Sequence, residues 1–114
     1  MDSKELLEVA AKACDEKRAE NIVALDMQDV SLMADYFIIC HGNNERQVDA
    51  ISKGVKEMVE KQGYDVKRLE GKEDARWVLV DLNDVIVHIF HKDERDYYNL
   101  EKLWGDARRV ELSL

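Results

Sequence analysis

Residues 77–90 read WVLVDLNDVIVHIF, two runs rich in Val, Ile and Leu joined by Asn83-Asp84. β-branched and aromatic residues suit a pleated, half-buried surface, and Asn-Asp tolerates the positive φ of a tight turn. The stretch is therefore read as an antiparallel hairpin, Trp77 to Leu82 and Val85 to Phe90. Upstream, IVALDM (22–27) and YFIIC (36–40) are short and apolar, the second almost continuously so, as in a strand covered on both faces. The polar QDVSLMAD between them is a loop. Tyr64 to Leu69 alternates weakly and carries Asp65, Lys67 and Arg68, charges that suit an edge strand because they discourage pairing with other chains.

Around these strands the apolar period is helical. Asp2 with Glu5 has capping-box spacing ahead of Leu6, Leu7, Ala10, Ala11 and Cys14, on one face of a helix running to about Ala19. Asn44 with Gln47 repeats that spacing before Val48, Ile51, Val55, Met58 and Val59, and Gly63 stands where a C-terminal cap is required. From Asp93, Tyr97, Leu100, Leu103 and Trp104 share a third helical face that ends at Gly105. The order implies a single α/β domain, residues 1–105, with a mixed sheet of about five strands flanked by about three helices. The helix after the second strand permits a parallel crossover, whereas the hairpin is antiparallel. Residues 106–114 mix charge and Leu without a period and are read as a C-terminal tail.

With 114 residues the chain has room for one core, and 46% apolar with 37% charged residues gives it both a core and solubility. No apolar run approaches the roughly 20 residues of a membrane span, and Met1 is followed at once by Asp2, Lys4 and Glu5, so a cytoplasmic protein is expected. Cys14 and Cys40 form no C-x-x-C pair and read as reduced core thiols. The net charge of -8 argues against sequence-independent nucleic-acid binding, which depends on Lys and Arg displacing counterions. A basic partner protein suits that charge, and so does solubility alone.

Motifs for chemistry are sparse. Gly42, Gly54, Gly63, Gly71 and Gly105 stand singly, which rules out a G-x-G-x-x-G loop or a P-loop. His41, His88 and His91, even with Cys40, lack the spacing of a zinc site, and His88 inside an apolar strand reads as a hydrogen-bonded core or interface residue. Neighbours in a strand face opposite ways, so Cys40 and His41 form no nucleophile and base pair. Asp26, Asp81 and Asp84 lie at strand ends, where they would hold a divalent ion if they gathered. That arrangement, with the helix opened by the small-residue turn His41-Gly42-Asn43, is the basis of an alternative reading as a nucleotidyltransferase-like enzyme or nucleotide-binding protein. Against it, YDVKRL (64–69) offers only Asp65 where two-metal chemistry needs several carboxylates in register. No catalytic residue, cofactor or metal is expected.

Between Glu70 and Trp104 stand Glu70-Gly71, Trp77, Asp81, Asp84, Val87-His88, Arg95, Tyr98 and Leu100-Glu101-x-Leu103-Trp104, preceded by IVALDM, Asp35 before YFIIC, Gly42 and Gln47. This pattern resembles the RsfS/Iojap family of ribosomal silencing factors over nearly the whole chain, with a departure at Asn43-Asn44, where relatives often carry Thr or Ser. The resemblance implies a nucleotidyltransferase-like sheet without transferase activity and no enzymatic role. It also implies binding to large-subunit ribosomal protein L-fourteen, a steric block to joining of the ribosomal subunits, repression of translation when nutrients are scarce, and a homodimer when free.

Candidate docking residues are then Glu70, Trp77, Asp81, Asp84, His88, Arg95 and Tyr98, with Trp77 and Tyr98 as aromatic anchors and the acids as a charged rim. Strand alternation puts Trp77 on the face of Leu79 and Asp81, opposite Val78, Val80 and Leu82. Each aromatic residue also has a structural reading: Trp77 as partly buried core, Tyr98 packed under the third helix, Leu103 and Trp104 as core. Arg95 and Glu101 equally suit pairing on the helix surface.

Overall fold

The computed structural model describes residues 3–32, 34–94, 105 and 107–112. The chain runs through α1 (Ser3–Glu16), β1 (Glu20–Asp26), β2 (Tyr36–Gly42), α2 (Glu45–Lys61), β3 (Arg68–Glu70), β4 (Trp77–Asp81), β5 (Val85–His91) and β6 (Arg108–Val110). The strands form one mixed, open sheet in the order β3-β4-β5-β2-β1-β6. The hairpin of β4 and β5 lies inside this sheet, and β5 pairs in parallel with β2 from Tyr36↔Val85 to Gly42↔His91. The crossover through α2 carries the chain past β5 to the edge, where β3 pairs antiparallel with β4. No helix among the described residues is long and apolar enough to cross a membrane.

The hairpin turn uses the residues expected, but only Asn83 takes a positive φ, of 78°, while Leu82 N–H donates to the Val85 carbonyl at 2.9 Å. β2 and β5 are the most apolar strands because they are buried on both faces. On one face Leu7, Ala10 and Cys14 of α1 and Val48, Ile51 and Val55 of α2 close over Ile38, Cys40, Val78, Val80, Val87 and Ile89. Cys14 and Cys40 are both buried and unbridged there. Their mutual hydrogen bond, reinforced by burial, pushes the Cys14 thiol well above its ordinary value. The opposite face carries a second cluster, Val23, Leu25, Met27, Phe37, Ile39, Ile86 and Phe90, with Trp77 and Leu79 packed alongside.

Three expected boundaries shift, each for a nonlocal reason. The sheet has six strands among the described residues, because 108–110 pair antiparallel with β1 (Ala24↔Val110, Asp26↔Arg108). Arg108-Arg109-Val110 is too short and too exposed to show a period, and only its backbone pairing with β1 makes it a strand. β3 is shorter than Tyr64 to Leu69, because the Tyr64 N–H is spent on the Val59 carbonyl at 2.9 Å in the α2 cap. α1 stops at Glu16 rather than near Ala19. Arg18 turns left-handed (φ 62°), and Arg18 and Ala19 donate back to the carbonyls of Asp15 and Cys14, a Schellman closure made without glycine. Asp2 lies outside the described residues, so its capping box does too. Residues 92–94 are helical, and Tyr97, Leu100, Leu103 and Trp104 of the third helical face lie outside the described residues.

The α2 cap joins two corners. Asn44 Oδ1 accepts the Gln47 N–H at 2.9 Å, Gln47 Oε1 accepts the Asn43 N–H at 2.7 Å, and Gln47 Nε2 donates to the Arg18 carbonyl at 2.9 Å. Asn44→Ala is expected to cost about 1 kcal/mol, read as a thermal midpoint lower by roughly 4 °C.

Candidate functional site

The hairpin places an aromatic cluster across β4, β5 and β2. Trp77 opens β4 half-buried, on the face of Leu79 and opposite the fully buried Val78 and Val80. Its indole Nε1 donates to His88 Nδ1 at 3.1 Å. The Trp77 ring stacks on Phe90 at 5.2 Å, and Phe37 meets the His88 ring edge-on at 4.7 Å. Trp77 pairs with Phe90 and Leu79 with His88, so Trp77 reaches His88 diagonally across the two strands.

His88 is 5% exposed, and burial alone lowers its pKa to about 4. It is neutral at pH 7. Because Nδ1 accepts from Trp77, the ring proton belongs on Nε2, which is buried and has no hydrogen-bond partner among the described residues. A residue this covered contributes to a surface only through what it touches.

The three acids differ in availability. Asp81 shares the Trp77 face, as alternation requires, but it is 5% exposed. Its Oδ2 accepts from Arg68 Nε and Nη2 at 3.2 and 3.1 Å, and its Oδ1 accepts the Asn83 N–H at 2.8 Å. Arg68 sits opposite Asp81 in the β3–β4 register and also approaches the exposed Glu70 at 3.7 Å. Asp81 thus fastens the edge strand and closes the turn. Asp84 keeps an exposed carboxylate, while its backbone carbonyl accepts the N–H groups of Asp35 and Tyr36 at 2.8 and 3.1 Å and anchors the start of β2. Roughly 13 Å of strand separates Trp77 from Asp81, and the Asp84 turn lies beyond, so the aromatic cluster and the exposed turn acid occupy opposite ends of the hairpin. Arg95 and Tyr98 lie outside the described residues.

The carboxylates of the alternative reading do not converge. Asp26 Oδ1 accepts the Gln28 N–H at 3.0 Å, Asp81 is committed to Arg68, and no group of three or more His, Cys, Asp or Glu among the described residues is placed to hold a metal. His41 lies 3.5 Å from Glu20 and His91 lies 3.6 Å from Asp93, in separate neighbourhoods. Sequence reasoning did not single out Arg68, Phe37 or Phe90 as parts of the site, because their roles depend on which residues face them across the ladder. It saw Gly71 only as a matching position. In the structure Gly71 has φ +84°, and a Cβ there would meet the Trp77 backbone.

Fold and site together define a one-domain α/β protein with an open, mixed sheet and an aromatic cluster borne on an interior hairpin. The chain belongs to the RsfS family, ribosomal silencing factor during starvation, whose family model matches residues 1–114. It is 61% identical over 112 residues to the ribosomal silencing factor RsfS of Bacillus subtilis, across 98% of this chain and 95% of that protein. A crystal structure from Bacillus halodurans aligns with a TM-score of 0.86 at 58% identity, over 96% of this chain and 100% of that one. Another, from Chromobacterium violaceum, aligns with a TM-score of 0.90 at 32% identity, over 100% of this chain and 94% of that one. Family membership gives the chain a ribosome-associated role in silencing translation.

Proposed function

We propose that the chain docks on large-subunit ribosomal protein L-fourteen through the face and turn of the β4–β5 hairpin, and that the docked body blocks joining of the small subunit. The observation that carries this reading is the half-buried Trp77, held on a sheet interior strand by His88 and Phe90 rather than on a loop. A preorganised aromatic side chain loses little freedom on binding, which is what makes such residues energetic anchors. Exposed acids stand at Glu70 on the edge strand and at Asp84 at the far end of the hairpin, and a chain of net charge -8 is steered toward a basic ribosomal surface. No bond need break. A body of 33 × 32 × 25 Å on a subunit-joining surface excludes the other subunit by volume. In the same reading the free factor is a cytoplasmic homodimer that represses translation under nutrient limitation, in keeping with the family description of silencing during starvation.

The test is co-sedimentation with large subunits, followed by light scattering as small subunits are added. Trp77→Ala is expected to weaken binding by about 2 kcal/mol, roughly thirtyfold in Kd, and to restore joining. Asp84→Lys is the cleaner charge variant, because Asp81→Lys would also strand Arg68. Normal joining at saturating native protein overturns the reading.

A further inference from the structure

We propose that His88 is a positioning residue for docking: by accepting the Trp77 indole N–H at Nδ1 it fixes the orientation in which the indole meets its partner. The inference rests on the docking role of Trp77 and assigns His88 no contact with the partner itself, since the imidazole is 5% exposed and its Nε2 is buried.

The geometry supports a hold on the indole rather than mere packing. Trp77 reaches His88 at 3.1 Å, and the two ring planes are tilted by 37°. Phe37 meets the imidazole edge-on at an interplanar angle of 63°, and Phe90 stacks on the indole at 24°. Ile39, paired with His88 on β2, and Phe90, two residues on along the same face of β5, are both 0% exposed, so the imidazole has no room to swing. An indole has two torsions and one polar atom. Stacking on Phe90 restrains the ring plane but tolerates a flip of the ring within that plane, whereas the Nε1 bond distinguishes the flipped states. Only a neutral imidazole protonated on Nε2 offers the acceptor, and a hydrophobic enclosure favours that neutral form. His88 thereby converts a cross-strand diagonal into a fixed presentation of the aromatic edge.

The experiment compares His88→Asn, whose Oδ1 stands near the place of Nδ1, with His88→Leu, which fills the space without an acceptor. The readouts are the Trp77 indole N–H resonance, assigned with Trp77→Phe, and the affinity of each folded variant for large subunits. His88→Leu is expected to move that resonance upfield and to weaken binding about tenfold, the scale of one lost hydrogen bond. His88→Asn is expected to stay within about threefold of native binding, and the losses in a His88→Leu, Trp77→Phe double variant are expected not to add.

Equal losses in both His88 variants, additive losses in the double variant, or native binding by His88→Leu overturn the proposal. If the His88 variants do not fold, Trp77→Phe alone deletes the donor, and native binding by it overturns the proposal as well. Native binding by Trp77→Ala sinks the docking reading beneath it, whereas weak binding by Trp77→Ala with native binding by His88→Leu sinks only the positioning role.

Discussion

Gly71→Ala is expected to lower the stability of the fold by about 3 kcal/mol, a fall of roughly 12 °C in the thermal midpoint. Gly71 follows β3 at φ +84°, a left-handed conformation that costs an L-residue about 1 kcal/mol on its own. The larger share comes from crowding. A Cβ at this position falls inside contact of the Trp77 carbonyl oxygen and lies 3.1 Å from the Trp77 carbonyl carbon and 3.4 Å from the Val78 Cα. These are backbone atoms of an interior strand, so no side chain can rotate away. The Gly71 carbonyl also accepts the Ala75 N–H at 3.1 Å, so the turn that leads into Trp77 moves with it.

Gly63 is the internal control, with φ +90° and nothing within 4 Å of its added Cβ. Gly63→Ala is expected to lose only about 1 kcal/mol, the conformational part. Gly71→Asn, which tolerates positive φ but still carries a Cβ, should behave like alanine at that position. Thermal unfolding of the three variants separates the terms, and equal small losses at both glycines would remove the close-approach argument.

What the sequence makes legible is what depends on neighbours along the chain. The hairpin, the two helices with their apolar stripes and the Asn44 cap follow from local period and turn chemistry, and each forms within a few residues of where it is read. The sharing of one face by Trp77, Leu79 and Asp81 follows from strand alternation for the same reason. What is not legible depends on register between strands. Asp81 looks like a free acid until Arg68 is set opposite it, and His88 reads as a hydrogen-bonded core or interface residue whose partner has no name until the pairing of Leu79 with His88 puts the Trp77 indole within reach. The strand at 108–110 is the extreme case, because its only mark is the partner it finds in β1.

Acidification is expected to weaken the fold by about 3 kcal/mol between pH 6.5 and about 4, with His88 as the principal cause. In the unfolded chain His88 takes up a proton near its ordinary value of 6.5, and in the folded chain burial delays that uptake to about 4. Across this window the unfolded state binds more protons than the folded state, so stability falls as the pH drops and levels off below the folded value. The charged imidazole also has no lone pair for the Trp77 N–H, so the same protonation releases the indole. Asp49 works in a lower window. The hydrogen bond from Lys53, with Lys72 adding to it, holds its carboxyl below its ordinary value of 3.8, so its contribution is present above that pH and is lost only as the pH falls further. Urea unfolding at intervals from pH 7.5 to about 2 separates the two. His88→Asn, which cannot titrate, should flatten the curve above pH 4 and leave the acid limb beneath it unchanged. An undiminished slope in His88→Asn would assign the acid sensitivity to other groups. Near neutral pH both the enclosure and the hydrogen bond select the uncharged ring, so the feature that makes the fold sensitive to acid is also the one that keeps Trp77 in place where the protein operates.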